Sequence, residues 1–277
     1  MVFKGLLVLL SGFLFIFSSG IPMRLISRYK PDYRREGLLW GIGIWIIAFI
    51  VSTFLQSLIR NIASGGVQPA GQQSPFVFLL GAVITTLLVQ TGMLIYLNNR
   101  RKKEADLTGE GLALGFGIGA VAQIFTGMIL IAAGVGVVFQ GAGLNLNLGP
   151  VQASTIEVIS AEGTINLIFA LISLVLFRVA LLTVTAAQGF MVARSITVKR
   201  SWFWLALLIY TVFTWALYLI QLLLGDPNAG QVSLGMTALL TSVVTAIYYL
   251  GVFLLGTRWL NSELQSEMKK TGKNRRN

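Results

Sequence analysis

Histidine and cysteine are absent from the chain, and acidic residues are few, with 10 Asp and Glu against 21 Lys and Arg in 277 residues. Imidazoles and thiolates are the side chains that most often hold zinc, and histidine is the usual proton carrier near neutral pH. A Ser-His pair is therefore excluded, and a Ser-Lys or aspartyl centre is excluded because neither lysine nor aspartate lies at membrane depth. We expect neither a metal site nor a cofactor.

Long apolar stretches make up most of the chain, and 55% of its residues are hydrophobic. About 20 helical residues cross the ~30 Å hydrocarbon layer. The pattern predicts an all-α, polytopic membrane protein, a bundle of about seven transmembrane helices in one domain, residues 1–256, followed by a basic tail, residues 257–277. The predicted spans are Phe3–Ser19, Leu38–Ile59, Phe76–Leu97, Leu112–Phe139, Ile165–Ala193, Trp202–Leu224 and Leu234–Leu255.

The chain has a formal charge of +11, and its basic residues cluster in the segments that follow spans one, three, five and seven. In the predicted bundle these segments lie on the same side of the membrane, and Lys4 and Arg60 are the exceptions. The positive-inside rule then predicts that the N-terminus lies outside and the C-terminus lies in the cytoplasm. We expect the protein to lie in the cell membrane. The expected partners are the lipid bilayer and anionic lipid at the cytoplasmic face, with no nucleic acid. In the tail, Leu260, Leu264 and Met268 suit either an interfacial helix or a solvated segment.

Span one also has the features of a signal peptide, an apolar run after Lys4 that ends in small residues. Removing it would require five downstream basic residues to be translocated, against the usual bias. A retained helix is therefore the favoured interpretation.

Span four is longer than the hydrocarbon layer requires and is rich in glycine. Gly111, Gly115 and Gly119 follow each other at four-residue spacing, so they share one helix face. Small residues at this spacing let a second helix approach closely. We expect this face to be buried against a neighbour, and the helix to tilt, protrude or break.

Arg178 is the one formal charge deep inside the predicted spans. A guanidinium near the bilayer centre costs at least ~2.5 kcal/mol on insertion scales, so it needs a partner. Glu162, the nearest acid upstream, is 16 residues away, or roughly 24 Å along a helix. Two solutions stay open: backbone carbonyls and amides of this chain, or an anion from a lipid, a ligand or an acidic partner helix.

Several short motifs fall at regular places in the spans. Ile21-Pro22 begins a basic loop after span one. Span three contains Val89-Gln90-Thr91-Gly92-Met93, and span four contains Gly115-Phe116-Gly117-Ile118-Gly119 followed by Ala120 and Gln123. Span five contains Phe177-Arg178 and Thr185, and span six contains Tyr210 and Thr214. From Ile21 to Trp215 this arrangement resembles the YhfC-type family of predicted intramembrane metalloproteases, relatives of the CAAX-processing and PrsW-type membrane proteases. The resemblance implies an intramembrane peptidase whose motifs supply Glu and His ligands for zinc.

The matching positions lack those ligands. Where the family has Glu-Glu-x-x-Arg the chain has Gln90, and the His-Gly-x-x-Glu motif is replaced by Ala120 with Gln123 or Ile124. Thr185 stands at the histidine of span five, and Tyr210 and Thr214 stand at the histidine and acid of span six. Neutral amide and hydroxyl oxygens are weak ligands for zinc.

These features lead to the hypothesis of a catalytically inactive relative that acts as a membrane binding or accessory protein for a transmembrane protein partner or lipid. The residues expected to line the former active-site cavity are Arg178, Gln90, Gln123, Thr185, Tyr210 and Thr214. The alternatives are an active peptidase that uses a non-standard site or groups supplied by a partner, and a transporter of a small solute or lipid.

Overall fold

A computed structural model describes residues 1–18, 20, 35–63, 75–101, 107–144, 159, 163–224 and 236–274. Within these ranges the chain is helical and has no strand, which confirms the all-α class. The described helices are α1 (Val2–Ser18), α2 (Arg35–Ala63), α3 (Pro75–Arg101), α4 (Leu107–Gly141), α5 (Thr164–Thr197), α6 (Ser201–Leu224) and α7 (Met236–Asn274). Ile21, Pro22 and Glu162, used in the sequence argument, lie outside the described residues.

Helices α2, α3, α4, α5 and α7 each contain a segment that is long and apolar enough to cross a membrane. Helix α1 and the first part of α6, Ser201–Ala216, are shorter apolar helices. The described chain is therefore an all-helical protein with five candidate membrane-spanning helices, while the seven-span count and the orientation stay predictions.

Helix α4 is the centre of the packing, because it makes its most extensive contacts with α1, α5 and α2. It runs without a break over 35 residues, or roughly 52 Å. Helix α5 lies against α4 on one side and carries α7 and α6 on others. Span four was expected to tilt, protrude or break, and a break is excluded because the helix is continuous. Tilting and protrusion stay predictions.

Glycines let α4 approach α5 until the backbones touch. Gly111, Gly115 and Gly119 lie on this face, where a Cβ on Gly115 would stand 2.1 Å from the carbonyl oxygen of Thr185. A Cβ on Gly189 of α5 would stand 1.9 Å from the carbonyl oxygen of Gly111. Any larger side chain at this crossing would force the two helices apart.

Other faces of α4 are built in the same way. A Cβ on Gly117 would lie 2.2 Å from the carbonyl oxygen of Leu38 in α2. Toward α1, a Cβ on Gly134 would lie 2.6 Å from the backbone nitrogen of Leu9, and one on Gly12 would lie 2.7 Å from the carbonyl oxygen of Gly127. Three neighbours therefore reach the α4 backbone directly.

Helix α7 continues past the predicted boundary at residue 256 to Asn274. Leu260 and Leu264 are buried and belong to the same core cluster as Leu107 of α4 and Phe190 of α5. Helix α7 is therefore continuous across the predicted boundary between the helical domain and the tail. The two leucines pack against the bundle. The side chain of Met268 lies outside the described residues.

Two glycines of α2 provide a matched test of this packing. A Cβ on Gly41 would lie 2.3 Å from the carbonyl oxygen of Leu114, whereas a Cβ on Gly43 would meet nothing within 4 Å. We expect Gly41→Ala to lower the free energy of unfolding by about 1–3 kcal/mol, since crowding a packed contact costs this much. Gly43→Ala should leave it unchanged or raise it by up to ~1 kcal/mol. Denaturant unfolding in detergent measures both, and equal effects would contradict the packing described.

Candidate functional site

Arg178 lies on α5 beside a group of aromatic rings contributed by three helices. Phe177 of α5 stacks on Phe213 of α6, with ring centroids 5.9 Å apart. Tyr249 of α7 lies 4.9 Å from the ring of Phe177 and 5.7 Å from that of Phe213. The arginine thus stands where α5, α6 and α7 meet.

The guanidinium is half-buried, and its Nε is buried without a hydrogen-bond partner among the described residues. Its Cζ lies 4.8 Å from the centre of the Phe177 ring. Within the described part of the chain, the titratable groups that act on it electrostatically are the hydroxyls of Tyr210 and Tyr249, and no carboxylate does so. The hydroxyl of Tyr249 is itself buried and makes no hydrogen bond within the described ranges.

The site therefore combines one positive charge with two phenol groups in an apolar setting. An arginine donates up to five hydrogen bonds in a planar fork that matches a carboxylate or phosphate. The arrangement is able to bind an anion. The described residues around it include no carboxylate that could activate water, and the chain has no histidine.

The other predicted site residues are distributed over several contacts. Thr214 donates to the carbonyl oxygen of Tyr210 on its own helix, 3.0 Å away. Thr185 is fully buried and donates to the carbonyl oxygens of Leu181 and Leu182, 2.9 and 3.1 Å away. Tyr210 acts electrostatically on Arg178, while Thr185 packs against the glycine face of α4.

The buried glutamines differ from one another. The Nε2 of Gln123 donates to the Oγ of Ser18, 2.6 Å away, and so joins α4 to α1. Gln90 of α3 and Gln188 of α5 are fully buried, and their amide groups have no partner in the part of the chain that is described. An unpaired buried amide costs about 1–3 kcal/mol. No described contact links Gln90 or Gln123 to Arg178.

A charged network that the sequence analysis did not find joins the ends of three helices. Arg100, in the last turn of α3, pairs with Glu36 of α2. Its Nε donates to the hydroxyl of Tyr96, 3.0 Å away, and that hydroxyl donates to a carboxylate oxygen of Glu110, also 3.0 Å away. Only 3% of Glu110 and 8% of Arg100 is exposed, whereas the side chain of Glu36 is 56% exposed, so the network runs from the interior of the bundle to its surface.

Glu110 is a buried carboxylate that the predicted spans did not include. The predicted span began at Leu112, but α4 begins at Leu107, and its first turn carries this carboxylate inward. The sequence contains one feature that could have indicated this burial. Arg100 lies near the end of one helix and Glu110 lies near the start of the next, so opposite charges flank a short connection. Buried charges are normally paired in this way.

A second ion pair joins α5 to the extension of α7. The Nη1 of Arg194 donates to a carboxylate oxygen of Glu263, 2.9 Å away. The Arg194 guanidinium also lies over the rings of Phe190 and Trp202, 4.9 and 5.4 Å from their centroids. Both charged networks lie at the end of the bundle where α3 and α5 finish and α4 and α6 begin.

No group of three or more His, Cys, Asp or Glu residues that could hold a metal ion occurs in the described ranges. Two shallow grooves lie on the outer surface, one along α7 near Thr257 and Asn261 and one along α6 near Trp204. Neither groove contains a predicted site residue. The chain matches no protein-family model, no curated protein and no solved structure, so the family resemblance rests on the motif positions alone.

Adjacent arginines allow the charged network to be tested. Arg100 is buried and paired, whereas Arg101 is exposed. We expect Arg100→Ala to lower the free energy of unfolding by about 1–3 kcal/mol, since it removes the partner of buried Tyr96 and Glu110. Arg101→Ala should change it by no more than ~0.5 kcal/mol. Denaturant unfolding of the two variants in detergent makes the comparison, and a larger loss for Arg101→Ala would contradict the network.

Proposed function

We propose that the chain is a seven-span protein of the cell membrane and a catalytically inactive relative of the YhfC-type intramembrane metalloproteases. In this proposal it is a membrane binding or accessory protein that holds a transmembrane partner or a lipid without cutting it. Its N-terminus lies outside and its C-terminus lies in the cytoplasm.

The observation that carries the proposal is the state of Arg178. Within the described ranges, the titratable groups that act electrostatically on this half-buried guanidinium are two tyrosines, and no carboxylate does so. A charge in such surroundings is costly unless an anion meets it. A binding function supplies that anion, and it needs none of the ligands that the family motifs have lost at Gln90, Thr185 and Tyr210.

The orientation is supported by the end of the bundle that holds the charged networks. Arg100 and Arg194 lie there, close to the basic connections that the positive-inside rule places in the cytoplasm. Trp40 and Trp202 lie at the same end, since each begins or nearly begins its helix. Indole rings favour the membrane–water interface.

Because the chain has no cysteine, single cysteines can be introduced on a clean background to test the orientation. Ala142, after α4, and Val198, between α5 and α6, are both exposed. We expect a membrane-impermeant maleimide to label Ala142→Cys in intact cells, and Val198→Cys only after the membrane is permeabilised. The reverse pattern, or labelling of both from outside, would contradict the proposed topology.

Elemental analysis and a peptidase assay of the purified protein test the inactive state. We expect far less than one zinc per chain and no cleavage of membrane peptides, since neutral amides and hydroxyls stand where ligands are needed. Stoichiometric zinc, or hydrolysis that Gln90→Ala or Tyr210→Phe abolishes, would contradict the proposal.

A further inference from the structure

We propose that Arg178 binds a carboxylate carried at mid-depth by a transmembrane helix of a partner protein. This inference rests on the proposed binding function and names the partner's chemistry. It excludes a lipid headgroup as the occupant.

The depth of Arg178 selects a partner helix over a lipid phosphate. Helix α5 has 34 residues, and Arg178 lies 14 residues after Thr164, or roughly 21 Å, and 19 residues before Thr197, or roughly 29 Å. An apolar layer of ~30 Å centred on this helix leaves the headgroups about 11 Å from the arginine on the Thr164 side and about 19 Å on the Thr197 side. A carboxylate in another membrane-spanning helix is available at the required depth.

The hydrogen-bond donors at the site suit a carboxylate. The Nε of Arg178 and the hydroxyl of Tyr249 are both buried and have no hydrogen-bond partner in the described chain. An ionised carboxylate has two oxygens that accept about four hydrogen bonds, and arginine binds it through two parallel bonds. One such group would balance the charge of the guanidinium, on which the hydroxyl of Tyr249 also acts electrostatically.

Beside Arg178, helices α6 and α7 contact each other through the rings of Phe213 and Tyr249, whose centroids are 5.7 Å apart. Each of the two helices packs against α5, but within the described residues they contact each other much less. Their outer faces carry exposed apolar side chains, with 59% of Leu208 and 67% of Ile247 accessible. A partner helix would therefore find apolar surface around a single positive charge, which is what an apolar helix with one acidic residue complements.

The contrast with the other buried arginines supports this assignment. Arg100 and Arg194 also lie over aromatic rings, and each has a carboxylate of this chain as its partner. Arg178 has the same aromatic setting without the acid. The missing component of the arrangement is thus a carboxylate.

The test uses the full chain in neutral phosphatidylcholine vesicles with three fluorescent, lysine-flanked leucine–alanine peptides that span the bilayer. Their central residue is Asp, Asn or Ala. We expect the Asp peptide to bind at least roughly tenfold more tightly than the Asn peptide, since a charge-assisted hydrogen bond contributes this much. Energy transfer to a label at Val198→Cys measures the binding.

Variants of the chain assign the preference to the site. Arg178→Leu should abolish the preference for Asp, and Tyr249→Phe should reduce it, while the neighbouring Tyr248→Phe serves as the control and should leave it unchanged. Tyr248 does not act electrostatically on Arg178 within the described chain. Persistence of the preference in Arg178→Leu would overturn the inference, as would equal binding of the three peptides to the unaltered chain.

Adding anionic phosphatidylglycerol to the vesicles tests whether a lipid headgroup, and not the carboxylate of a partner helix, binds at Arg178. We expect the Asp preference to survive it, and its loss would assign the site to a headgroup and overturn the inference. Equal binding of all three peptides would leave a binding function in place. Cleavage of the peptides would instead contradict the proposed function itself.

Discussion

The close approach of backbones along α4 is the constraint on which the rest of the bundle depends. Lipid tails are as apolar as leucine side chains, so helices in a membrane associate mainly through van der Waals packing. Glycines at Gly115, Gly117 and Gly134 bring α5, α2 and α1 to direct backbone contact with α4. Helix α5 is fixed by this contact, and it in turn sets where α6 and α7 stand around Arg178.

Arg100, Arg194 and Arg178 each have buried side-chain atoms, but their surroundings differ. At one end of the bundle, Arg100 and Arg194 join helices through carboxylates and aromatic rings, and their charge is balanced within the chain. Arg178 lies near the middle of α5, where its described neighbours offer rings and hydroxyls. Charge balance inside the protein therefore marks structure, and its absence at Arg178 marks the place where a partner is expected.

Much of the local architecture could be predicted from hydrophobic length and residue spacing. Predicted span five, Ile165–Ala193, corresponds to α5, which begins one residue earlier, at Thr164, and ends four residues later, at Thr197. The burial of Glu110, the continuation of α7 through Leu264 and the presence of Tyr249 beside Arg178 were not predicted. Each depends on a neighbour that is distant in sequence.

The amino-acid sequence by itself determined the all-helical class with long apolar helices, the small-residue face of α4 and the position of Arg178 within an apolar helix, because hydrophobicity and spacing act within one stretch of chain. Only the tertiary structure decided which polar groups meet. It engaged Thr185 and Gln123 in other contacts and placed Tyr249 against Phe177, the neighbour of Arg178 in sequence. The physical reason is that such pairings depend on the rotation and crossing of helices, which the packing against α4 sets for the bundle as a whole.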